Sequence, residues 1–401
     1  MRNLLFVDDE PRVLQGLQRQ LRVMRDEWRM DFVESGPKAL EFMSACSVDV
    51  LVTDMMMPGM DGAQLLTEVT KRYPHTVRLV LSGHAEREAV LRLVGPAHQY
   101  LSKPCNAEEL RGAIARALAM RQLLASEQLK HLASRVNCLP SLPKSYEQLT
   151  GELRKPEPSV ERVADIISRD MGMATKILQL VNSSFFGLPQ PASNVAEAVM
   201  YLGLATIRAL VLSTQVFSQF NQKTIKAFSI DGIAQHCWMT GVLARRIAEL
   251  ERHDPKLSDQ CFLAGLLHDL GYLILAAGLP EPYTEVLQGA RDSNRPLWEV
   301  EQARLNASHA EIGAYLLGLW GLPNPVVEAV AVHHRPCAAT SQGFSPVIAV
   351  HVADALAHAL VPTPPEQVGI EIDMACLASF GLQGRLATWK EACIQDQPAG
   401  C

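Results

Sequence analysis

The chain has 401 residues, room for two or three ordinary domains, each with its own core. It is 48% hydrophobic and 20% charged, and 37 basic against 43 acidic residues leave a formal net charge of −6. That balance argues against a dedicated DNA-binding or membrane-surface patch, because phosphate recognition needs clustered positive charge. Nine cysteines fall at irregular spacings with no C-x-x-C pair, so neither a disulfide framework nor a thiolate zinc site is expected. Free thiols of this kind fit a reducing compartment. The opening MRNLLFVDDEP meets carboxylates too soon for a signal peptide, and no run of about 18 apolar, uncharged residues follows. The expectation is a cytoplasmic chain without a membrane span.

Residues 1–120 alternate short apolar runs with amphipathic ones. Strands are predicted at Leu4–Val7, Asp31–Ser35, Val48–Asp54, Val77–Ser82 and Gln99–Ser102, with helices near 11–24, 36–45, 62–72 and 86–94. Five β-α units mean a parallel sheet covered on both faces. Ligands of such open sheets sit at the carboxyl ends of the strands, which puts Asp8, Asp9, Asp54, Ser82 and Lys103 on one rim. Three clustered carboxylates repel one another, and a hard divalent cation such as Mg²⁺ relieves that repulsion. Asp54 could then act as a nucleophile toward an activated phosphoryl group. Lys103 could neutralise one phosphoryl oxygen and Ser82 offer a hydroxyl to another, while Gly83 permits close backbone approach. Lys103–Pro104 is a candidate cis peptide.

These residues resemble the receiver domain of two-component response regulators, with LVTDMMMPGMDG, LVLSGH and YLSKP as the matching motifs. The resemblance implies a flavodoxin-like fold, a five-stranded parallel sheet of order 2-1-3-4-5, and phosphorylation of Asp54 by a sensor histidine kinase or phosphotransfer protein. It implies Mg²⁺ on Asp9, Asp54 and the Met56 carbonyl, with Asp8 placed directly or through water, and Tyr100 as the aromatic switch residue.

From Asn106 the pattern turns helical for about 30 residues, with Asn106 and Glu109 as an N-cap pair and an apolar stripe from Leu110 to Val136. The stripe reads as the last helix of the first domain running into a helical linker over 121–137. A coiled-coil seam in a homodimer is the other reading, although the heptad is not sustained. Two prolines in Cys138–Leu139–Pro140–Ser141–Leu142–Pro143 end the helix. An all-α domain is expected over 138–393, dividing near residue 225 into two lobes, with a frayed tail at 394–401. Phe185 and Phe186 read as core aromatics.

The LP-LP opening, VNSSFFG and AVMYLGLATIRALVL resemble the HDOD domain, a helical relative of the HD phosphohydrolases that serves as a signalling output; Met171 stands where a proline is expected. Imidazoles and carboxylates concentrate in 236–354, a donor set suited to Fe, Mn, Zn or Ni, and an aspartate can bridge two metals. By resemblance to the HD superfamily, His236, His268, Asp269 and Asp354 match a first metal set, and His309, His333 and His334 a second. The same histidines are equally readable as structural core residues. Two departures weigh against hydrolysis: Tyr272 follows Gly271 where the cyclic-di-GMP phosphodiesterases carry a lysine, and no GYP motif follows the His333–His334 pair. The expected function is a phospho-switched adaptor that binds a downstream signalling protein and not DNA, with a phosphorylation-gated metal phosphohydrolase as the alternative.

Overall fold

The computed structural model describes residues 1–82, 97–103, 105–124, 143–182, 191–212, 229–251, 254–360 and 371–395, together with 126, 129–130, 132–133, 136 and 188. The expectations for the helix at 86–94, Gly83, Pro104, the break at 138–142, Phe185 and Phe186, the division near residue 225 and the tail from 396 fall outside the described residues.

The N-terminal unit runs β1 (Arg2–Val7), α1 (Pro11–Gln20), β2 (Trp28–Val33), α2 (Gly36–Ala45), β3 (Val50–Asp54), α3 (Gly62–Arg72), β4 (Val77–Ser82) and β5 (Gln99–Ser102). All strand pairs are parallel, in the order β2-β1-β3-β4-β5. β3 and β4 are buried along their whole length, as expected of central strands covered on both faces. β2 begins three residues earlier than its sequence pattern suggested, because Trp28 is an inward-facing anchor that pairs with Arg2.

The turn after β3 is tightly built. Asp61 caps α3 by accepting from Gln64 N at 2.8 Å, and Gln64 Oε1 accepts from Asp61 N at 3.1 Å. Gly62 lies against the Asp54 carbonyl, where a Cβ would collide with backbone. After β5, α4 (Ala107–Leu123) is capped by Asn106, whose Oδ1 accepts from Glu109 N at 2.7 Å. α4 stops at Leu123, and Leu124 is extended, so the expected 30-residue continuous helix is broken there. The reason is packing: Leu124, Leu129 and Ala133 turn into the core, and Leu132 lies where a Cβ on Gly278 would be. Of the described stripe residues, Leu110, Ile114, Leu118, Leu124 and Leu129 are buried within the chain.

The remainder is helical: α5 (Pro143–Leu153), α6 (Val160–Ser168), α7 (Met171–Val181), α8 (Val195–Leu212), α9 (Ile230–Glu251), α10 (Pro255–Leu267), α11 (Leu270–Gly278), α12 (Pro280–Ser293), α13 (Leu297–Leu305), α14 (His309–Leu319), α15 (Asn324–Val332), α16 (Pro346–Leu360), α17 (Met374–Ser379) and α18 (Leu386–Gln395). Met171 occupies the first turn of α7 behind an Asp170 cap, a position proline tolerates but does not require. The stretch Pro255–Gly278 is long and apolar enough to cross a membrane, yet 83% of its apolar window is buried inside the protein. It is a central helix pair, with His268 and Asp269 at its midpoint.

The sheet face bearing Leu4, Phe6, Val52 and Leu79 is continuous with the helical core through α4, so one apolar cluster spans both units. The opposite face, with Leu5, Val7, Val80 and Tyr100, is closed by α2 and α3. Replacing Gly62 with alanine should cost about 1–3 kcal/mol through overpacking against Asp54, read as a lower denaturation midpoint.

Candidate functional sites

The strand ends bring the expected rim residues together. Asp8 is fully buried, and its Oδ1 accepts from Glu10 N at 2.9 Å. Asp54 is 7% exposed, and its Oδ2 accepts from Met56 N at 3.0 Å. Lys103, one residue past β5, donates to Asp8 Oδ2 at 2.7 Å and is ion-paired with Asp54 Oδ1. Burial raises Asp54 above the ordinary carboxylate range; Lys103 opposes that shift and Asp8 adds to it. Burial disfavours the Lys103 ammonium, but its bonds to Asp54 and Asp8 outweigh this and raise its pKa. Asp9 is half-buried on the following turn and Met56 is 56% exposed. Ser82 is buried beside the β5 end, where its carbonyl accepts from Lys103 N at 2.8 Å. Tyr100 points into the sheet's second core and is 1% exposed. Two buried carboxylates and a half-buried third make a hard oxygen donor set of the kind Mg²⁺ takes.

The second site lies at the centre of the helical unit. α9 carries His236, the α10–α11 junction His268 and Asp269, α14 His309, the end of α15 His333 and His334, and α16 Asp354. All seven converge. His236, His268 and Asp354 form one set with ligand atoms within 4.8 Å of each other, and Asp269, His309, His333 and His334 form a second. Asp269 stands between them, with Oδ2 3.3 Å from His268 Nε2 and Oδ1 3.4 and 3.8 Å from His309 and His333 Nε2. Asp269 thus touches the first set, in which it was expected, through His268 and His236, and also reaches the second. Asp354 Oδ1 lies 3.0 Å from His236 Nε2 and 3.5 Å from His268 Nε2.

Backbone and carboxylate partners orient these rings. His268 Nδ1 faces the Gly265 carbonyl at 2.6 Å and His333 Nδ1 the Val330 carbonyl at 2.8 Å, turning both Nε2 atoms inward. His309 Nδ1 meets Glu301 Oε2 at 2.6 Å, and Tyr283 donates to Glu301 Oε1 at 2.6 Å. The inward His268 and His333 Nε2 atoms make no hydrogen bond, as expected of imidazoles arranged around a common centre. Burial alone would raise Asp269 and Asp354; the imidazoles, led by His268 for Asp269 and His236 for Asp354, hold both well below the carboxylate range. Burial opposes protonation of His309, but Glu301 and Asp269 outweigh it and lift its pKa to about 9. Burial and the charges of His268 and His309 push His333 down to about 3. This donor set fits borderline divalent metals.

Sequence reasoning missed four participants. Glu301 and Tyr283 carried no local signal, because they reach His309 from separate helices. His358, whose Nδ1 is 3.2 Å from Asp354 Oδ1, could have been found from its i+4 spacing on α16. Cys237 joins His268 and Asp269 in a further compact set. Tyr272, which replaces the expected lysine, lies over His309 with ring centroids 3.9 Å apart. It fills the position with an aromatic face and supplies no cation.

Because His309 is raised when folded, the stability it contributes is fully present below its unfolded value of 6.5 and is lost as pH rises through about 9. Replacing Glu301 with glutamine should flatten that dependence, which amounts to roughly 3 kcal/mol at most. Urea midpoints of chelator-treated wild-type and variant chains across this range check it.

A receiver-domain family model matches residues 4–115 and an HDOD-domain model matches 139–336. Among curated proteins, an uncharacterized protein of Treponema pallidum is 27% identical over 51% of this chain and 39% of its own length. Response regulator GtcR of Aneurinibacillus migulanus is 30% identical over 29% of this chain and 47% of its own. The chain thus spans less than half the length of these relatives. Among solved structures, the MmoQ response regulator of Methylococcus capsulatus is 23% identical, covering 64% of this chain and 98% of its own, with a TM-score of 0.48. With both domain models matched and the 2-1-3-4-5 sheet in place, the chain belongs to the two-component response regulators that join an N-terminal receiver domain to a C-terminal HDOD domain.

Proposed function

We propose that the chain is a phospho-switch in which a mark on Asp54 alters how the receiver seats on the HDOD domain, and with it what that domain binds. The observation that carries this reading is the span of β5. The strand ends next to Lys103, which holds Asp8 and Asp54, and begins with Gln99, whose Nε2 donates to the Leu319 carbonyl of α14 at 2.9 Å. Beside it, Gln179 of α7 donates to the His98 carbonyl at 3.3 Å, and Met120 of α4 packs against Gly318 of α14. Arg78 is fully buried at the same junction against His98, near Tyr100 and Tyr315; burial holds its pKa down to about 10. A displacement of Lys103 or Tyr100 is thus four residues or fewer from contacts with the output domain.

A histidine kinase or phosphotransfer protein is the donor class. An Asp54 carboxylate oxygen attacks the phosphorus of a phosphohistidine, the P–N bond breaks, and the departing imidazole nitrogen takes up a proton from water. Mg²⁺ held by Asp8, Asp9, Asp54 and the Met56 carbonyl would supply charge neutralisation. Lys103 then transfers its pairing from carboxylate to phosphoryl oxygen, and the Ser82 hydroxyl donates to another phosphoryl oxygen. Coupling requires that the two receiver states differ in affinity for the HDOD surface. The output is read as protein recognition in the cytoplasm without DNA contact. Burial of His236, His268, Asp269, His309, His333 and Asp354 at 0–2% exposure, and Tyr272 in place of a cation, favour it over hydrolysis.

With Mg²⁺ and beryllium fluoride as acyl-phosphate mimic, hydrogen exchange in α4 and α14 should change in the wild type and stay constant in Asp54→Asn. Identical exchange in the wild type with and without the mimic sinks the reading.

The seven-residue convergence favours a second reading, a metal-loaded HD centre acting as a gated phosphohydrolase. Elemental analysis of the purified full chain should find Fe, Mn, Zn or Ni that His268→Ala removes; no bound metal would eliminate it.

A further inference from the structure

Away from both sites, a third cluster of metal-ligating atoms joins two segments far apart in sequence. The thiols of Cys337 and Cys376 and a carboxylate oxygen of Asp373 all lie within 4.8 Å of one another. Cys337 is exposed in the 3₁₀ turn Pro336–Ala338, three residues beyond His334, and Cys376 is fully buried in the first turn of α17. We propose that Cys337, Asp373 and Cys376 form a binding site for a thiophilic divalent cation, Zn²⁺ by preference, which staples the C-terminal helices to the turn after the His333–His334 pair.

The donors are held by their surroundings. Asp373 Oδ1 caps α17 by accepting from Cys376 N at 2.8 Å, leaving Oδ2 for a cation. Asp373 N donates to His351 Nε2 at 2.8 Å, so the His351 proton sits on Nδ1, which donates to the His333 carbonyl at 2.7 Å. The aspartate is thereby tied through one imidazole to the wall of the HD centre. Further along, Arg385 and Trp389 anchor on Glu251 of α9 at 2.6 and 2.8 Å. Burial, then the neighbouring Cys337 and Asp373, raises the Cys376 thiol above its ordinary range. Three groups that become mutually repulsive anions are what a cation relieves, and two thiolates select a soft or borderline metal over Mg²⁺ or Ca²⁺. Three protein ligands leave the fourth tetrahedral position to water. Binding displaces both thiol protons to solvent, so affinity rises with pH.

The test uses the full chain, stripped with chelator and titrated with Co²⁺ as a Zn²⁺ surrogate. A thiolate-to-cobalt charge-transfer band is expected, lost in Cys337→Ser and in Cys376→Ser. Cys337→Ser changes an exposed residue and should keep the wild-type circular dichroism, so its loss of the band is not a folding effect. Zn²⁺ should also slow iodoacetamide alkylation of Cys337 several-fold, measured by mass spectrometry. A missing band overturns the proposal, as does alkylation unchanged by Zn²⁺. So does a band surviving in both serine variants, which would belong to Cys237 beside His268. A Cys337–Cys376 disulfide whose reduction restores no metal uptake also counts against it.

Discussion

The Lys103 ammonium, held between the buried carboxylates of Asp8 and Asp54, is the interaction on which the receiver half depends. Without that cation, two carboxylates at adjacent strand ends would face each other in a poorly solvated rim. Its pairing also sets where β5 must end. β5 is only four residues long, so Lys103 at one end stands four positions from Gln99, which is bonded to α14. Electrostatic balance at the rim and register at the domain junction are thus consequences of one short strand.

The junction itself is unusually committed for a contact between two domains. A single apolar cluster runs from the sheet through α4 into the helical core. Within it lie Arg78 and Lys176, both almost fully buried, with Lys176 donating to Gln179 at 3.0 Å and lying 5.9 Å from the Trp320 ring. Buried cations tolerate little displacement, because lost partners leave a charge in low dielectric.

The HD centre shows how the same ligand geometry separates from accessibility. Its carboxylates face the imidazoles of His236, His268 and His309, and the rings are aligned by Gly265, Val330 and Glu301. Tyr272 lies against His309 with its ring tilted by 31°. The donor set is enclosed by packing except at His334, which is half-buried.

By itself the sequence determined the receiver fold and its rim, since strand periodicity and short motifs at strand ends are local and the parallel topology leaves few arrangements. It also contained the seven HD-type residues, which resemblance to the HD superfamily, residue by residue, singled out. What only the tertiary structure decided depends on distances across the chain. Glu301 beneath His309, Asp269 as the bridging carboxylate and Arg78 at the junction each rest on contacts between separate elements. The cysteines make the point most plainly. Read along the sequence their spacing suggested no thiolate site, yet folding brings Cys337 and Cys376 to one aspartate. Linear spacing records ligand sets only when one element carries the pair, and here two elements 39 residues apart do, counted from 337 to 376.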